Sequence, residues 1–577
     1  MSEIIIGIDL GTTNSEVAVI RDGRPCIIEV DGSRLLPSMV GLADDGALLV
    51  GQSARNQYAL HPERTIRSIK RRMGEDVKVQ MGGKDYTPQE LSALILRHLK
   101  KAAERELGEE ISKAVITVPA YFSDAQRQAT RDAGKLADLE VVRIINEPTA
   151  AALAYEADHT GQRTILVYDL GGGTFDVSVV RMEQDVTEVL GSHGNNHLGG
   201  DDFDARIVEH LVNHLKDVHG LDLSLTPVTM ARIERAAEAA KITLSDAPYA
   251  QIEEEYLLEH DGKPVHLSLE LNRLEYEGMI DSFVDETLEA VHTALRGAGL
   301  TVSDLDEILL VGGATRTPLI QRRLESDLGI QPRTEVDPDL CVAAGSAIQA
   351  SVIAGQQVAS VLVDITPYTF GTSALGDLNG EVYPYTFVPL IRKNTAIPVT
   401  KSEAFNTVYD GQEAIDVTVY QGEAPDALNN TEIGSFLIEG LSDVPAGNVI
   451  VTTFSLDLNG ILHVSSREKR TGLEKRIRIE NATTRFEQQE MAAARERIGA
   501  LLPAYGEDVE TGTQRKHVQS LALIEKAERL MDTAVAEDQE DLVDLTEQLR
   551  DALSAGDVSA QQQASGELSD LIFYLDS

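Results

Sequence analysis

Apolar runs and glycine turns alternate with amphipathic stretches along roughly the first 355 residues. Residues 4–8 (Ile-Ile-Ile-Gly-Ile) form an apolar run typical of a buried strand. Apolar positions recur at helical spacing over about 88–107, 123–137, 202–218 and 229–246. Strands that alternate with helices predict an α/β unit over residues 1–355.

One pattern in this unit occurs twice. Residues 6–13 (Ile-Gly-Ile-Asp-Leu-Gly-Thr-Thr) correspond to residues 166–173 (Leu-Val-Tyr-Asp-Leu-Gly-Gly-Gly). An alternating apolar strand follows each copy, at 17–20 and at 177–180. Each copy therefore predicts a β-hairpin with a glycine-rich turn and an acid at its mouth.

The pattern changes after residue 355. A short segment over 356–363 is followed by short alternating strands with turn residues about every ten positions, which predicts a β-sandwich over 364–482. From 483 to 577 the apolar spacing is helical again. The chain is thus expected to be multidomain.

Composition narrows the function classes. The formal net charge of −43 opposes nucleic-acid binding, because phosphate contacts need clustered Lys and Arg. No apolar run approaches the ~18 residues that span a bilayer, so we expect no membrane association. The two cysteines, Cys26 and Cys341, fit a reducing compartment. With no basic stretch before the first apolar run, these features predict a cytoplasmic protein.

The repeated turns have the chemistry that binding of a nucleoside triphosphate requires. Glycines permit backbone N–H groups to approach phosphates closely, and Mg²⁺ prefers a few carboxylate oxygens and water. Either turn alone fits an ordinary tight turn, but the repetition favours ATP and Mg²⁺ binding. No Walker-type G-x-x-x-x-G-K-[ST] is present. The candidate residues are Gly11, Thr12, Thr13, Gly171, Gly172, Gly173 and Thr174, flanked by Asp9, Asp169 and Asp176.

Four segments are distinctive together: 6–15 (IGIDLGTTNS), 146–152 (NEPTAAA), 169–176 (DLGGGTFD) and 310–316 (LVGGATR). In this order and spacing, they resemble the signatures of the seventy-kilodalton heat-shock (heat shock protein 70) chaperones. The resemblance implies an actin-like ATPase domain built from duplicated ribonuclease-H-like halves (1–355), a hydrophobic linker (356–363), a β-sandwich peptide-binding domain (364–482) and an α-helical lid (483–577). It further implies an ATP-dependent chaperone that binds exposed apolar segments of unfolded clients. ATP binding and slow hydrolysis to ADP would control peptide capture and release.

The resemblance also implies catalytic roles. Lys70 matches the lysine that orients the attacking water, although a lone lysine in a basic patch would otherwise be read as solvated surface. Glu147, Thr174 and Asp176 match residues around that water. Asp9 and Asp169 match the residues that hold Mg²⁺, largely through water.

Further nucleotide contacts follow from the same resemblance. Glu238, Lys241 and Ser245 lie at i, i+3 and i+7, so one helix face can present all three to the adenosine. The residues implied on the opposing side are Gly312, Gly313, Arg316 and Asp339. Without the family, an ordinary charged helix face would explain the first three. Ile242 stands at the position after Lys241, where the family commonly has a basic residue.

Interdomain coupling is implied at seven positions. Pro119 and Arg127 match a relay between the nucleotide and the partner domain. Arg143, Asn146 and Thr149 match positions that engage a J-domain co-chaperone and the docked sandwich. Leu362 and Asp364 belong to the linker, where Ala359-Ser360 replaces the usual acid.

Four positions match the peptide cleft of the family. Phe405 and Ile415 match pocket-lining residues, although ordinary sandwich core explains them equally well. Leu375 and Val408 match the arch over the substrate. Because Val408 is bulkier than the common alanine, and Thr372 replaces an aliphatic residue, we expect a narrower peptide set.

Three departures from the family pattern point to a specialised bacterial branch similar to HscC. The segment Met73 to Lys84 is short, the lid of about 95 residues is short, and an acidic C-terminal tail is missing. Such a branch is expected to depend less on a nucleotide exchange factor. The alternatives, an actin-fold small-molecule kinase or a filament-forming actin-like ATPase, leave the residues after 364 unexplained.

Overall fold

The computed structural model describes residues 4–156, 161–183, 186–219, 225–260, 263–333, 337–356, 361–478, 488–501 and 536–555, with isolated positions at 524, 527, 560, 564–566 and 568–569. The chain forms two compact units, Met1–Gly499 and Ala500–Ser577.

The first part of the larger unit is a mixed sheet with helices on it. Its elements are β1 (Ile5–Asp9), β2 (Asn14–Arg21), β3 (Arg24–Ile27), β4 (Leu36–Pro37), β5 (Val40–Leu42), β6 (Leu48–Val50), α1 (Gln52–Tyr58), β7 (Thr65–Ile66), β8 (Val79–Met81), β9 (Lys84–Tyr86), α2 (Pro88–Leu107), β10 (Lys113–Val118), α3 (Asp124–Leu136), β11 (Glu140–Asn146) and α4 (Glu147–Glu156). The main sheet has the order β11-β10-β1-β2-β3. Strand β1 is parallel to β10 and antiparallel to β2.

The second part repeats this arrangement. Its elements are β12 (Arg163–Leu170), β13 (Phe175–Glu183), β14 (Val186–Asn195), α5 (Gly200–His219), α6 (Pro227–Asp246), β15 (Tyr249–His260), β16 (Lys263–Asn272), α7 (Arg273–Ala298), β17 (Glu307–Val311), α8 (Pro318–Leu328) and α9 (Cys341–Ile353). Strand β12 is parallel to β17 and antiparallel to β13, as β1 is to β10 and β2. The register also matches, because Asp9 lies opposite Glu16 and Asp169 opposite Asp176. The predicted pair of hairpins is confirmed.

Helices α4 and α9 join the two sheets. A Cβ on Gly345 of α9 would lie 1.7 Å from the Ala150 carbonyl oxygen of α4, so the helices are in backbone contact. Strand β1 also approaches the backbone of α9, since a Cβ on Gly7 would lie 2.3 Å from the Ala347 nitrogen. This packing fixes both glycine-rich hairpins relative to one another.

The predicted sandwich is present. The strands after α9 are β18 (Val361–Ile365), β19 (Phe370–Leu378), β20 (Glu381–Ile391), β21 (Ala396–Ile397), β22 (Val399–Asn406), β23 (Ala414–Gln421), β24 (Thr431–Glu439), β25 (Val449–Leu456), β26 (Leu462–Glu468) and β27 (Glu474–Arg478). Two antiparallel sheets, β20-β19-β23-β24 and β22-β25-β26-β27, face each other. Val419 and Ile433 of one sheet and Phe454 and Val464 of the other belong to one buried core. Strand β18 adds in parallel to β14.

Two further helices are described after the sandwich, α10 (Gln488–Leu501) and α11 (Ala536–Ala555). The smaller unit has its own apolar core, which includes Ile524, Leu542, Leu549 and Leu568. Much of the predicted helical region from 483 onward, including 483–487 and 502–523, lies outside the described residues. Within the described part of the chain, no helix combines the length and apolar character needed to cross a bilayer.

Candidate active site

The two glycine-rich turns meet face to face. A Cβ on Gly172 would lie 1.8 Å from Thr13 Oγ1, and one on Gly173 would lie 2.7 Å from Thr12 Cγ2. No side chain fits at either position, which explains why glycine is required there. The structure therefore brings together the two loops that the sequence placed 160 positions apart, since Gly11 and Gly171 hold equivalent places.

Lys70 lies beside these loops in a 3-10 helix, Ile69–Arg72. It is only 4% exposed, and its Nζ donates to Glu147 Oε1 at 2.5 Å. The Phe122 ring centroid is 5.7 Å from the ammonium. Burial by itself lowers the pKa of Lys70, but the carboxylates of Glu147 and Asp9 outweigh it and hold that pKa above its ordinary value. Lys70 is therefore a buried, charged member of the site and not a solvated surface lysine.

Buried carboxylates outnumber this single ammonium. Burial raises the pKa of Glu147 to about 7, against the opposing effect of Lys70. Burial and the Glu147 charge raise the pKa of both Asp169 and Asp176 well above the ordinary range, although Asp176 Oδ1 accepts the Tyr121 N–H at 3.0 Å. Asp9 Oδ1 accepts the Thr117 hydroxyl at 2.6 Å, and burial raises its pKa as well.

This excess of negative charge fits a hard divalent cation. Asp169 Oδ2 is buried without a hydrogen-bond partner, so one carboxylate oxygen is available to a cation or to its water. Among the described residues, no group of three or more His, Cys, Asp or Glu side chains is arranged to hold a metal ion directly. The open Asp169 oxygen among buried carboxylates suits an ion that keeps most of its water and takes other oxygens from a phosphate.

Glu16 also belongs to this cluster and was missed in the sequence. It is 3% exposed and pairs with Asp9 across the β1–β2 hairpin. Burial and the Asp9 charge raise the pKa of Glu16 well above its usual value. The available signal was an acid inside an otherwise apolar strand, Val17-Ala18-Val19 following directly.

The residues predicted for adenosine lie on α6 near the second loop. Lys241 Nζ donates to Asp204 Oδ2 at 2.9 Å and to the Gly200 carbonyl at 3.1 Å. Glu238 pairs with Arg55 at 2.9 Å, which links α6 to α1 of the first half. Ser245 Oγ donates to the Lys241 carbonyl at 3.3 Å.

The residues predicted for the opposing side lie next to the same loop. Gly312 has φ 82°, and a Cβ there would lie 2.4 Å from the Leu170 carbonyl oxygen. Arg316 pairs with Asp339 at 2.7 Å. A Cβ on Gly200 would lie 3.1 Å from Lys241 Nζ and 3.6 Å from Ala314 Cβ, so both sides converge there. Gly313 lies beside Asp339, since a Cβ on it would be 3.0 Å from Asp339 Oδ1.

A buried polar chain leads from the site to strand β18. Arg127 donates to Asn146 Oδ1 at 2.7 Å, and Asn146 Nδ2 donates to Asp364 Oδ2 at 2.8 Å. Thr149 Oγ1 donates to the same Asp364 oxygen at 3.5 Å. Arg127, which alone would be read as a surface residue, is 6% exposed. Its pKa is lowered by burial, with Asp364 opposing.

The other residues predicted for coupling lie nearby. The Pro119 carbonyl accepts the Phe122 N–H at 3.1 Å and closes the turn before α3. Leu362 pairs with Thr187 in the β14–β18 ladder and packs against the buried apolar core of the α/β unit. Arg143 is half-buried, and burial lowers its pKa while Asp364 and Asp457 oppose that effect.

The sandwich itself contacts the first half of the α/β unit. Asn459 Oδ1 accepts the Ile144 N–H at 3.0 Å, and the Leu462 N–H donates to Asp124 Oδ1 at 3.4 Å. The Tyr368 hydroxyl donates to the Tyr121 carbonyl at 2.6 Å, with the two rings 4.9 Å apart. These pairs join residues more than 240 positions apart, and no local pattern in the sequence marks them.

The four residues predicted for peptide binding are spread over the sandwich. Leu375 and Val408 are more than half exposed. Ile415 packs against the sandwich core, and Phe405 is half-buried opposite Ile450. Thr372 is buried and donates its hydroxyl to the Thr418 carbonyl at 2.7 Å.

The α/β unit has paired glycine loops beside a cluster of a buried lysine and carboxylates, and the sandwich contacts this unit. These features are typical of an ATPase coupled to a second domain. A protein-family model described as "Hsp70 protein" matches residues 5–575, and the chain belongs to this family. "Chaperone protein DnaK" of Thermotoga neapolitana is 48% identical over 481 residues, which cover 82% of this chain and 79% of the relative.

The chain is therefore an ATP-dependent chaperone with ATPase activity. Its family combines an actin-like ATPase domain, a β-sandwich and a helical lid, uses ATP, ADP and Mg²⁺, and works with client polypeptides and J-domain co-chaperones. The kinase and filament alternatives are not favoured.

Proposed function

We propose that Lys70, Glu147, Thr174 and Asp176 hydrolyse ATP by positioning water, with no covalent intermediate. The observation that carries this proposal is the buried pair of Lys70 and Glu147 beside both glycine loops. Lys70 supplies a fixed positive charge and N–H donors toward the γ-phosphate. Glu147 holds Lys70 and, with Thr174 and Asp176, orients the attacking water.

We propose that Asp9 and Asp169 hold Mg²⁺, largely through water. When bound, the ion neutralises charge on the phosphates. Thr117 fixes the Asp9 carboxylate through its hydroxyl, and the partnerless Asp169 oxygen faces the same cluster. The excess of buried carboxylates supports this assignment, because neutralisation by a cation relieves their mutual repulsion.

The nucleotide itself is proposed to lie between the loops and helix α6. Glycines 11, 171, 172 and 173 with Thr12 and Thr13 would take the phosphates. At Gly11, Gly172 and Gly173 a Cβ would lie within 3 Å of a neighbouring atom, so these turns pack more closely than a side chain allows. Glu238, Lys241 and Ser245 would contact the adenosine from one side, and Gly312, Gly313, Arg316 and Asp339 from the other. The convergence of both groups at Gly200 supports this arrangement.

Domain limits at 1–355, 356–363, 364–482 and 483–577, with duplicated ribonuclease-H-like halves in the first, are part of the proposal. The shared strand order of the two mixed sheets supports the duplication. Pro119, Arg127, Arg143, Asn146, Thr149, Leu362 and Asp364 are proposed to transmit the nucleotide state to the sandwich and a J-domain co-chaperone.

For the client, we propose an extended apolar segment held by Leu375, Phe405, Val408 and Ile415, and a narrower peptide set than that of a general chaperone. The exposed Leu375 and Val408 support a role in contacting a ligand. A peptide array that reproduced the profile of a general chaperone would refute the narrower preference.

We further propose a bacterial, cytoplasmic protein of a specialised branch similar to HscC, with little need for an exchange factor. The short segment from Met73 to Lys84, which contains β8, supports the branch assignment. Purified protein that released ADP only in the presence of an exchange factor would contradict it.

Single-turnover ATP hydrolysis, with and without an apolar peptide, tests the proposed mechanism. Lys70→Ala is expected to slow hydrolysis by about a hundredfold or more, because one preorganised charge at the transition state is lost. Lys84→Ala, an exposed lysine on β9 of the same half, is the matched control and should keep the wild-type rate. An unchanged rate in Lys70→Ala would show that the mechanism is wrong.

A further inference from the structure

The residue two positions before Lys70 has an unusual backbone. Ser68 lies in the left-handed region, with φ 52° and ψ 30°, and directly precedes the 3-10 helix Ile69–Arg72. Side chains other than Gly, Asn and Asp seldom adopt this conformation, and it persists only where surrounding contacts hold it. Because Ser68 sets the start of the short helix, its backbone angles determine where Lys70 lies.

The contact that holds Ser68 comes from the other half of the α/β unit. Ser68 Oγ donates to Asp201 Oδ2 at 2.6 Å, across 133 positions of sequence. Asp201 lies at the start of α5, and its own N–H donates to the Gly172 carbonyl at 2.7 Å. The neighbouring Gly200 N–H donates to the Gly171 carbonyl at 2.9 Å. Asp201 therefore contacts the second phosphate loop through its backbone and Ser68 through its carboxylate.

The residues on either side of Ser68 and Lys70 reach the same half. Arg67 donates to Glu234 at 3.1 Å, and Arg71 pairs with Asp202 at 3.2 Å. Lys70 instead reaches Glu147 in the first half. The segment 67–71 thus attaches to the second half at three points while it presents its lysine to the first half.

We propose that Ser68 is a positioning residue for ATP hydrolysis. Its hydrogen bond to Asp201 stabilises the left-handed turn that places Lys70, and this bond forms only when the second phosphate loop lies against the first half. The approach of the two halves is thereby linked to the position of the proposed catalytic lysine. The inference rests on the proposed role of Lys70.

Three substitutions separate positioning from simple backbone strain. Ser68→Ala loses the hydrogen bond and keeps the strain, whereas Ser68→Gly loses the bond and relieves the strain. Ser68→Asn tolerates the left-handed backbone and has an amide that can donate to Asp201. If Ser68 mattered only as a strained turn, the glycine variant would match or exceed the wild type.

Single-turnover hydrolysis at saturating ATP and equilibrium ATP affinity are the two measurements. Ser68→Ala and Ser68→Gly are each expected to slow hydrolysis about tenfold, with ATP affinity changed less than about threefold, because a slightly misplaced catalytic group affects the reaction more than binding. Ser68→Asn should recover most of the rate. Asp201→Ala combined with Ser68→Ala should be no slower than the slower single variant, since both remove one interaction.

The controls make each failure distinct. Asp22→Ala removes an exposed side chain at φ 51° in the turn between β2 and β3, and should hydrolyse ATP at the wild-type rate. If Ser68→Ala or Ser68→Gly hydrolysed ATP at the wild-type rate while Lys70→Ala was slowed as expected, this inference alone would be overturned. A wild-type rate in Lys70→Ala would overturn the proposed mechanism itself.

Discussion

Glu468 shows how one buried side chain can organise a loop of the sandwich. It is fully buried and accepts the Ser442 N–H at 2.9 Å and Asn448 Nδ2 at 2.5 Å, together with the Thr471 hydroxyl. Burial alone would raise the pKa of Glu468, but these hydrogen bonds outweigh it and lower the pKa to about 2. The carboxylate thus joins the ends of β25 and β26 to the loop before them.

This lowered pKa has a definite sign for stability. A carboxylate with a folded-state pKa of about 2 and an ordinary value of 4.5 stabilises the fold above pH 4.5, and that contribution is lost as pH falls toward 2. Glu468→Gln is expected to destabilise the sandwich at neutral pH by about 1.5–3 kcal/mol, the typical worth of hydrogen bonds to a charged group. Its stability should then change less than that of the wild type between pH 4.5 and 2.

Urea unfolding of the full chain measures this effect, with hydrogen exchange of peptides from 442–468 reporting on the sandwich. Glu403→Gln changes an exposed glutamate on β22 and serves as the control. Equal urea midpoints for Glu468→Gln and Glu403→Gln at neutral pH would contradict the prediction.

Single residues also mark the limit of what the sequence could predict. The glycines and aspartates of the hairpins were recognisable because the same eight-residue pattern occurs twice, at 6–13 and at 166–173. Lys70 was recognisable only by family resemblance, because its partner Glu147 lies 77 positions away. Glu16 and Asp201 were missed, since the contacts that give them a role exist only after the strands pair and the two loops meet.

At the scale of elements, local signals predicted the helices closely. Helix α2 begins where Thr87 and Glu90 form a capping box and ends before Gly108 at φ 68°. Helix α6 begins at Pro227, two residues before the predicted start, because Thr226 caps it. The pairing of strands within the sheets was harder to predict, since parallel neighbours such as β1 and β10 are separated by more than a hundred residues.

Glu90 connects two elements at once and permits a paired test. Its side chain accepts the Thr87 N–H at 2.7 Å in the capping box and Arg497 Nε of α10 at 2.6 Å. Arg497→Ala removes only the contact to α10, so we expect faster amide exchange in α10 and unchanged exchange in the first turn of α2. Glu90→Ala should also accelerate that first turn about fivefold, because a cap is worth about 1 kcal/mol.

Hydrogen exchange followed by mass spectrometry resolves the two helices. Arg105→Ala, an exposed arginine in the last turn of α2, is the control and should leave both helices unchanged. If Arg497→Ala accelerated the first turn of α2 as much as Glu90→Ala did, the separation of the two roles would be wrong.

At the scale of the whole molecule, the described contacts tie strand β18, which includes the end of the proposed linker, to the proposed nucleotide site. Strand β18 pairs in parallel with β14 and through Asp364 and Ile365 with β21 of the sandwich. It therefore belongs to both parts at once. The resemblance predicted a linker and its acid. That β18 joins a sheet could not be predicted from local patterns, because its partner strand lies about 175 residues earlier.

Asp364 is the residue through which this connection can be tested. Burial raises its pKa, while the Ile365 N–H, Arg127 and Asn146 oppose that rise and hold the carboxylate in place. Asp364→Asn keeps the size of the side chain but removes its charge, and its amide nitrogen cannot accept from Asn146 or Thr149. Since hydrolysis is coupled to peptide capture in the proposed cycle, an apolar peptide is expected to speed hydrolysis in the wild type. In Asp364→Asn we expect β18 to be held less firmly and this stimulation to fall at least about fivefold, because hydrogen bonds to a buried charge are weakened.

Single-turnover hydrolysis with and without an apolar peptide provides the measurement, and ATP affinity provides the check on the site. Affinity should stay close to wild type, because Asp364 contacts Asn146 and Thr149 and none of the phosphate-loop residues named above. Asp85→Asn, an exposed acid on β9, should keep full stimulation. Full stimulation in Asp364→Asn would mean that the polar chain from Arg127 through Asn146 does not carry the signal, and that the β14–β18 ladder alone does.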